Sequence, residues 1–329
     1  MALDSVTLQV KPRGKPIKRL PKEAYLSSSS TTEELYKKLS GAAGCSIYRL
    51  RVTNASDGSF IPNSKDTTIE AAGCKDGGVV NVKDLGPQID WRTVFVIEYA
   101  GPLIIHPLIF YIAYPYIYPH TSSFSISSLL PSSSHRPPPP SSLQHLSMVL
   151  VLLHFVKREL ETLFVHKFSS ATMPVFNIFK NSGHYWGLSG LVLAYFTCAP
   201  FARISTPNLE ASPVNNVFTY FGLLLFVLGE LLNFNTHLSL SSLRPRDNPT
   251  KRAVPKGLGF DWVTCPNYLF EVLAWVGIWM VNRNWSTGLF LLVAIVQMFF
   301  WAKKKERRLR KEFPGEYKKK RYTIVPGLF

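Results

Sequence analysis

VFTYFGLLLFVLGELLNF, residues 217–234, carries a single charged side chain, Glu230. A run this long and apolar approaches the ~20 residues needed to cross the hydrocarbon of a bilayer. Runs of the same kind stand on either side of it: VFVIEYAGPLIIHPLIFYIAY (94–114), GLSGLVLAYFTCAPF (187–201), YLFEVLAWVGIWMV (268–281) and STGLFLLVAIVQMFFWA (286–302). With 46% hydrophobic residues and 13% aromatics over 329 residues, the chain falls outside the ordinary soluble class. The pattern predicts a polytopic, all-α membrane domain of about six spans, near 93–114, 146–164, 184–202, 214–234, 267–281 and 286–301. In the second, Lys157, Arg158, Glu159 and Glu161 cut the apolar run short, which also suits an interfacial amphipathic helix.

The formal charge of +16 gathers beside these runs, in RPRDNPTKRAVPKG (244–257) and KKKERRLRKEFPGEYKKKR (303–321). Positive charge flanking spans favours the cytosolic side and anionic lipid heads, so both termini are expected in the cytosol. No basic module interleaved with aromatics accompanies the charge, and a nucleic-acid partner is not expected. MALDSVTLQVKPRGKPIKRL lacks the apolar core of a cleaved signal peptide. Cys45, Cys74, Cys198 and Cys265 have no CxxC spacing and are expected to be reduced.

Residues 1–86 differ from the rest. SVTLQV and IYRLRVT alternate as strands do, and TTEELYKKLSGAAG offers a helix with a threonine cap and a terminal glycine. The expectation is a small α+β domain resembling ubiquitin, although any small α+β packing domain gives the same pattern. A pre-membrane segment and first span follow over 87–118. The Ser/Pro-rich stretch 119–145, with its run of four prolines, is expected to be disordered and a tolerated insertion. The remainder, 146–329, forms the membrane domain with its basic tail.

Ionisable groups within spans are costly and by default face a bundle interior or a wet cavity. Glu98, Glu230 and Glu271 are three such groups. Glu230, Asn233 and His237 share a helical face by spacing; so do Asn267 and Glu271, with Tyr268 three residues before Glu271. Glu230, His237 and another carboxylate make a conceivable metal set, but no HExxH or paired-histidine signature exists, and no metal is expected. Hydrogen bonding between helices is the plainer alternative for any one of these residues. The loop bearing Arg244, Arg246, Lys251, Arg252 and Lys256 suits phosphate, and equally suits a positive-inside anchor.

Several stretches taken together carry a family resemblance: KDLGPQIDW (83–91), EYAGPL (98–103), KRELETLFVHKFSSATMPVFNIFKNSGHYWG (157–187), HLSLSSLRP (237–245) and CPNYLFE (265–271). In these the chain resembles the very-long-chain trans-2-enoyl-CoA reductases of the endoplasmic reticulum, over nearly all its length except 119–145. Its C-terminal half is similar to the wider steroid 5α-reductase family through the NY…E element. The resemblance implies NADPH-dependent reduction of a very-long-chain trans-2-enoyl-CoA, the last step of each fatty acid elongation cycle, in the endoplasmic reticulum membrane alongside other elongation enzymes. It implies Tyr268 as the proton donor, Gln88 orienting the thioester carbonyl and Glu98 as their partner. Asn235, His237, Asn267 and Glu271 would meet the nicotinamide and ribose side of NADPH, and Arg244 and Arg252 its phosphates. Ser241 stands where an arginine is usual in the family and Glu306 where a histidine is frequent, which weakens the phosphate side. A steroid or polyprenyl enone reductase of the same fold, a methyltransferase of related helix arrangement, and a non-catalytic elongase scaffold are the alternatives.

Overall fold

The computed structural model describes residues 5–118, 139–168, 171–199, 213–243, 253–317 and 321–327. The chain divides into two compact units, Met1–Trp91 with Ser170–Asn177, and Arg92–Ser169 with Ile178–Phe329.

The first unit is built on a five-stranded mixed sheet. Strands β1 (Ser5–Pro12), β2 (Glu23–Ser27), β3 (Leu50–Asn54), β4 (Phe60–Ile61) and β5 (Val79–Asp84) lie in the order β2-β1-β5-β3-β4, with β1 parallel to β5 and the other pairs antiparallel. Alternation turns Val6, Leu8, Val10, Val52, Val80 and Val82 to one face, where Leu35, Tyr36 and Leu39 of helix α1 (Thr32–Ala43) close the core. The helix starts where its cap predicts, Thr31 accepting from the Glu34 amide at 3.3 Å, and stops at Gly44, whose φ of 65° suits glycine. The Tyr36 hydroxyl is buried between the Ile61 carbonyl (2.8 Å) and the Val52 amide (3.0 Å); burial pushes its pKa up to about 12.

Pairing carries this unit past residue 86. Strands β6 (Gln88–Asp90) and β7 (Thr172–Pro174) form an antiparallel ribbon with Gln88 opposite Pro174. The Trp91 indole donates to the Thr172 carbonyl at 3.0 Å. A pairing between segments so far apart leaves no local trace in the sequence.

The second unit is helical. Helix α2 (Trp91–Ile117) is widened by a π-helical stretch, Leu108–Ala113, directly after Pro107. Helix α3 (Ser142–Leu160), continued by a π turn over Glu161–Val165, begins in a capping box of Ser141 and Gln144, so 142–145 are helical and not part of a disordered stretch. Residues 119–138 lie outside the described residues. Helix α4 runs from Phe176–Ser182 through a π-helical Gly183–Val192 to Leu193–Cys198; then come α5 (Pro213–Ser242), α6 (Pro266–Asn282) and α7 (Trp285–Glu312).

Among the described residues three helices are long and apolar enough to cross a membrane: Trp91–Ile117, Asn216–Ser242 and Trp285–Glu312. This is a membrane protein. Of the other three expected spans, α3 ends in charged residues, α4 is continuous but begins in the polar stretch Phe176–Ser182, and α6 at 17 residues rises only about 26 Å, short of the ~30 Å hydrocarbon core. Along α5 the exposed residues Val217, Tyr220, Phe221, Leu224, Leu228 and Leu231 make an apolar stripe left uncovered by the described residues, while Gly222, Phe226, Gly229, Asn233 and His237 point inward.

The inward stripe of α5 meets α6 at backbone distance. A Cβ on Gly277 would lie 2.5 Å from the Gly222 carbonyl oxygen and 2.6 Å from the Phe226 nitrogen; one on Gly229 would lie 2.5 Å from the Ala274 nitrogen. In lipid such close packing of small residues replaces the hydrophobic drive that water would supply. Gly277→Ala is therefore expected to lower stability by about 1–3 kcal/mol, because the atoms it strikes are backbone and cannot swing away. Gly187→Ala, with nothing within 4 Å of its added methyl, is expected to be neutral. Thermal unfolding of the two variants in detergent checks the contrast, and equal midpoints would refute the packing argument.

Candidate active site

The close approach of α5 and α6 brings Asn233 beside Glu271. The Asn233 amide donates to the Asn267 carbonyl (2.8 Å) and to Glu271 Oε2 (3.1 Å). Glu271 Oε1 lies 3.2 Å from His154 Nε2, and the other ring nitrogen, Nδ1, lies 2.6 Å from Glu230 Oε1. An imidazole facing carboxylate oxygens with both nitrogens donates at both when its ring is doubly protonated.

His154 is one of four polar residues on one face of α3. Lys157 contacts Glu230 (3.1 Å) and Glu161 (3.0 Å) and donates to the Asn233 side-chain oxygen. Arg158 meets Glu161 at 2.5 Å, gives a second hydrogen bond to the Tyr99 hydroxyl (2.9 Å) and covers that ring. His237 Nδ1 closes the chain on Glu161 at 3.0 Å. Three carboxylates thus face Lys157, Arg158 and the His154 ring, so the cluster carries its own counter-charges, the condition under which charge survives burial.

Glu161, His166 and His237 each bring a ligand atom to within 4.8 Å of the others. Glu161 is already held by Lys157 on one oxygen and by Arg158 and His237 on the other. A divalent ion there would sit against two fixed positive charges, so the geometry favours the ion-paired network over a metal centre. His166, beyond the last turn of α3, is held far below the ordinary histidine value, at about 3, by burial and then by the neighbouring Arg158.

Two polar atoms stand apart from this ion-paired network. Asn267 Oδ1 is buried and has no hydrogen-bond partner among the described residues. The Tyr268 ring packs against the core with its centroid 6.5 Å from that of Trp301, and among the described residues its hydroxyl makes no hydrogen bond. Asn267 and Tyr268 open α6 directly after Pro266, and the Tyr268 and Leu269 amides donate to the Cys265 carbonyl at 3.0 and 3.3 Å.

The predicted site residues distribute unevenly. His237, Glu271 and Asn267 join the cluster. Asn235 does not: it is exposed, two residues from Asn233 and therefore about 200° around the helix, so Asn233 occupies the inward position. Glu98 is buried and accepts from the Asn181 amide at 2.6 Å, not from Tyr268. Gln88 lies in the ribbon of the first unit, its amide donating to the carbonyls of Leu85 (3.1 Å) and Gly86 (3.2 Å) while its oxygen accepts from Thr172 (3.4 Å). Arg244 and Arg252 lie outside the described residues. Ser241 donates to the Val165 carbonyl (2.7 Å), and Glu306 is held by Arg310 (3.0 Å), so both departures from the family pattern have local partners. Sequence reasoning missed His154, Lys157, Arg158, Glu161 and Asn181; the first four were detectable as a stripe at i, i+3, i+4, i+7.

Comparison with known proteins gives the family. The family described as 3-oxo-5-alpha-steroid 4-dehydrogenase matches residues 171–329, which include α4 to α7. A Schizosaccharomyces pombe protein named as an enoyl reductase is 41% identical over 322 residues, 98% of this chain and 99% of its own. The very-long-chain enoyl-CoA reductase of Dictyostelium discoideum is 38% identical over 307 residues, 92% and 93% of the two chains. A trans-2,3-enoyl-CoA reductase-like protein of Mus musculus is 31% identical over 245 residues, 74% of this chain and 62% of its own. Similarity of this depth over nearly the whole length means that the chain belongs to the very-long-chain enoyl-CoA reductase family.

Proposed function

We propose that the protein is a membrane oxidoreductase that reduces the trans-2 double bond of a very-long-chain enoyl-CoA to the saturated acyl-CoA, closing a cycle of fatty acid elongation. The observation that carries this reading is that the Tyr268 hydroxyl and the buried Asn267 Oδ1, on successive residues at the head of α6, have no hydrogen-bond partner among the described residues. An orphaned buried acceptor costs about 1–3 kcal/mol, and a carboxamide N–H would relieve it, so the residues fit a nicotinamide. NADPH, when bound, would supply the hydride for C3 of the enoyl thioester.

The chain's own residues do the rest. Negative charge pushed onto the thioester carbonyl needs hydrogen-bond donors, for which Gln88 is the candidate, and C2 needs a proton, which Tyr268 would give. Asn267 would hold the nicotinamide carboxamide. Asn233, in the inward position where Asn235 was expected, would support it together with Glu271 and His237, whose polar atoms are engaged by protein partners and suit positioning more than direct contact. Arg244 and Arg252 would take the phosphates, and Glu98, through Asn181, would brace α4. The strand order β2-β1-β5-β3-β4 packed on one helix supports a ubiquitin-like reading of the first unit. Kinship with the very-long-chain enoyl-CoA reductases supports an endoplasmic reticulum protein of six spans, and the basic segments support cytosolic termini. Elongation enzymes and membrane lipid are its proposed partners.

The test is oxidation of NADPH by the purified chain in detergent, with a long trans-2-enoyl-CoA beside a steroid enone. Turnover with the enoyl-CoA alone is the expected result. Turnover with the enone alone would move the substrate class, and cofactor binding without turnover of either would leave a scaffold.

A further inference from the structure

The face of the mixed sheet opposite α1 is basic at its centre. In the β3–β5 ladder Arg51 stands opposite Lys83 and Thr53 opposite Asn81; in the β1–β5 ladder Lys11 is also opposite Asn81. Arg13, just past β1, donates its backbone amide to the Val82 carbonyl (2.7 Å), which holds it beside Lys83. Arg13, Arg51, Thr53 and Lys83 together line a depression of about 190 Å³ with no acidic residue in its wall.

Two like charges directly opposite on antiparallel strands repel and destabilise the pair. Nearby, the same sheet avoids that cost: Arg49 is paired with Asp84 at 2.5 Å, and Asp84 is held below the ordinary carboxylate range by that hydrogen bond. Arg13, Arg51 and Lys83 face no carboxylate within ion-pair distance among the described residues, and the recorded contact of the Arg51 guanidinium is the face of Phe60, 5.3 Å away. The face therefore gathers three uncompensated cations around a hydroxyl, at a stability cost that an anion would remove.

We propose that this depression binds a phosphate group. A dianion suits the local charge, and two guanidinium forks and an ammonium supply more donors than a carboxylate can use, while the Thr53 hydroxyl, which donates to the Asn81 carbonyl at 3.4 Å, lines the floor. The volume lies below the ~300 Å³ at which pockets begin to enclose drug-sized ligands, so one charged group enters and the rest of its carrier stays outside. The site is independent of the reductase reading, whose carrying residues Asn267 and Tyr268 belong to the helical unit. Its phosphate comes either from a lipid headgroup or from solution.

The experiment uses the full chain in phosphatidylcholine nanodiscs, with acetylation of Lys83 by an activated ester followed by peptide mass spectrometry and referenced to exposed Lys65. One arm adds inorganic phosphate against chloride at equal ionic strength; the other incorporates phosphatidic acid in the disc. Lys83 is expected to react about fivefold more slowly than in the matched control in at least one arm, as occupancy at several times Kd requires. Protection by inorganic phosphate identifies a soluble source, and protection by phosphatidic acid alone identifies a headgroup. Arg51→Gln, an exposed change that leaves the fold intact, is expected to abolish the protection. A Lys83/Lys65 rate ratio unchanged in both arms, or protection that survives Arg51→Gln, overturns the proposal.

Discussion

Tyr268→Phe is expected to lower enoyl-CoA reduction about 10²–10⁴-fold, the usual contribution of a positioned proton donor. The substitution removes one oxygen and keeps the ring, so the packing against the core and Trp301 persists and the thermal midpoint stays unchanged. Because the hydroxyl has no hydrogen-bond partner among the described residues, its loss orphans no neighbour, and the effect falls on turnover. Cofactor affinity, measured by fluorescence titration, is expected to match the wild type, since the free acceptor assigned to the nicotinamide belongs to Asn267. A variant with undiminished turnover would remove Tyr268 from the chemistry, whereas one that binds cofactor and reduces nothing locates the loss at proton delivery.

The second large effect concerns stability. His154→Leu leaves Glu230 and Glu271 facing each other without the cation that separates them, and breaking a buried charge cluster by removing one member costs about 3–5 kcal/mol. The double variant His154→Leu/Glu230→Leu removes the stranded charge as well. It is expected to regain a large part of the loss, because two neighbours in one network are not additive. Denaturant unfolding in detergent supplies the four corners of the cycle. If the two substitutions simply add, the imidazole does not bridge the carboxylates and the network is drawn wrongly.

Local rules made much of the first unit legible. Alternation marked β1 and β3, and the Thr31 cap with Gly44 bounded α1, because both signals live within a few residues of where they act. The inward face of α5 was legible in the same way through Glu230, Asn233 and His237. The α3 stripe was not: Lys157, Arg158 and Glu161 read as the end of an apolar run when charge alone is counted, and their common face appears only when spacing is counted too. Asn235 and Asn233 differ by one step around a helix, which composition cannot distinguish. The ribbon joining Gln88–Asp90 to Thr172–Pro174 depends on a partner in a distant segment, and no window of sequence contains both halves.

That ribbon also orders events at the ribosome. Gln88 has no strand to pair with until Pro174 has emerged, so α2 and α3 are synthesised and delivered to the membrane before the small sheet that brackets them can zip. Until then the first unit has an unfinished margin, and any factor that holds the nascent chain has a defined interval in which to act. Once zipped, the ribbon makes everything between Asp90 and Thr172 a closed loop. Lengthening such a loop by half again costs only about 0.4 kcal/mol, so the ribbon tolerates wide variation in the length of chain it encloses.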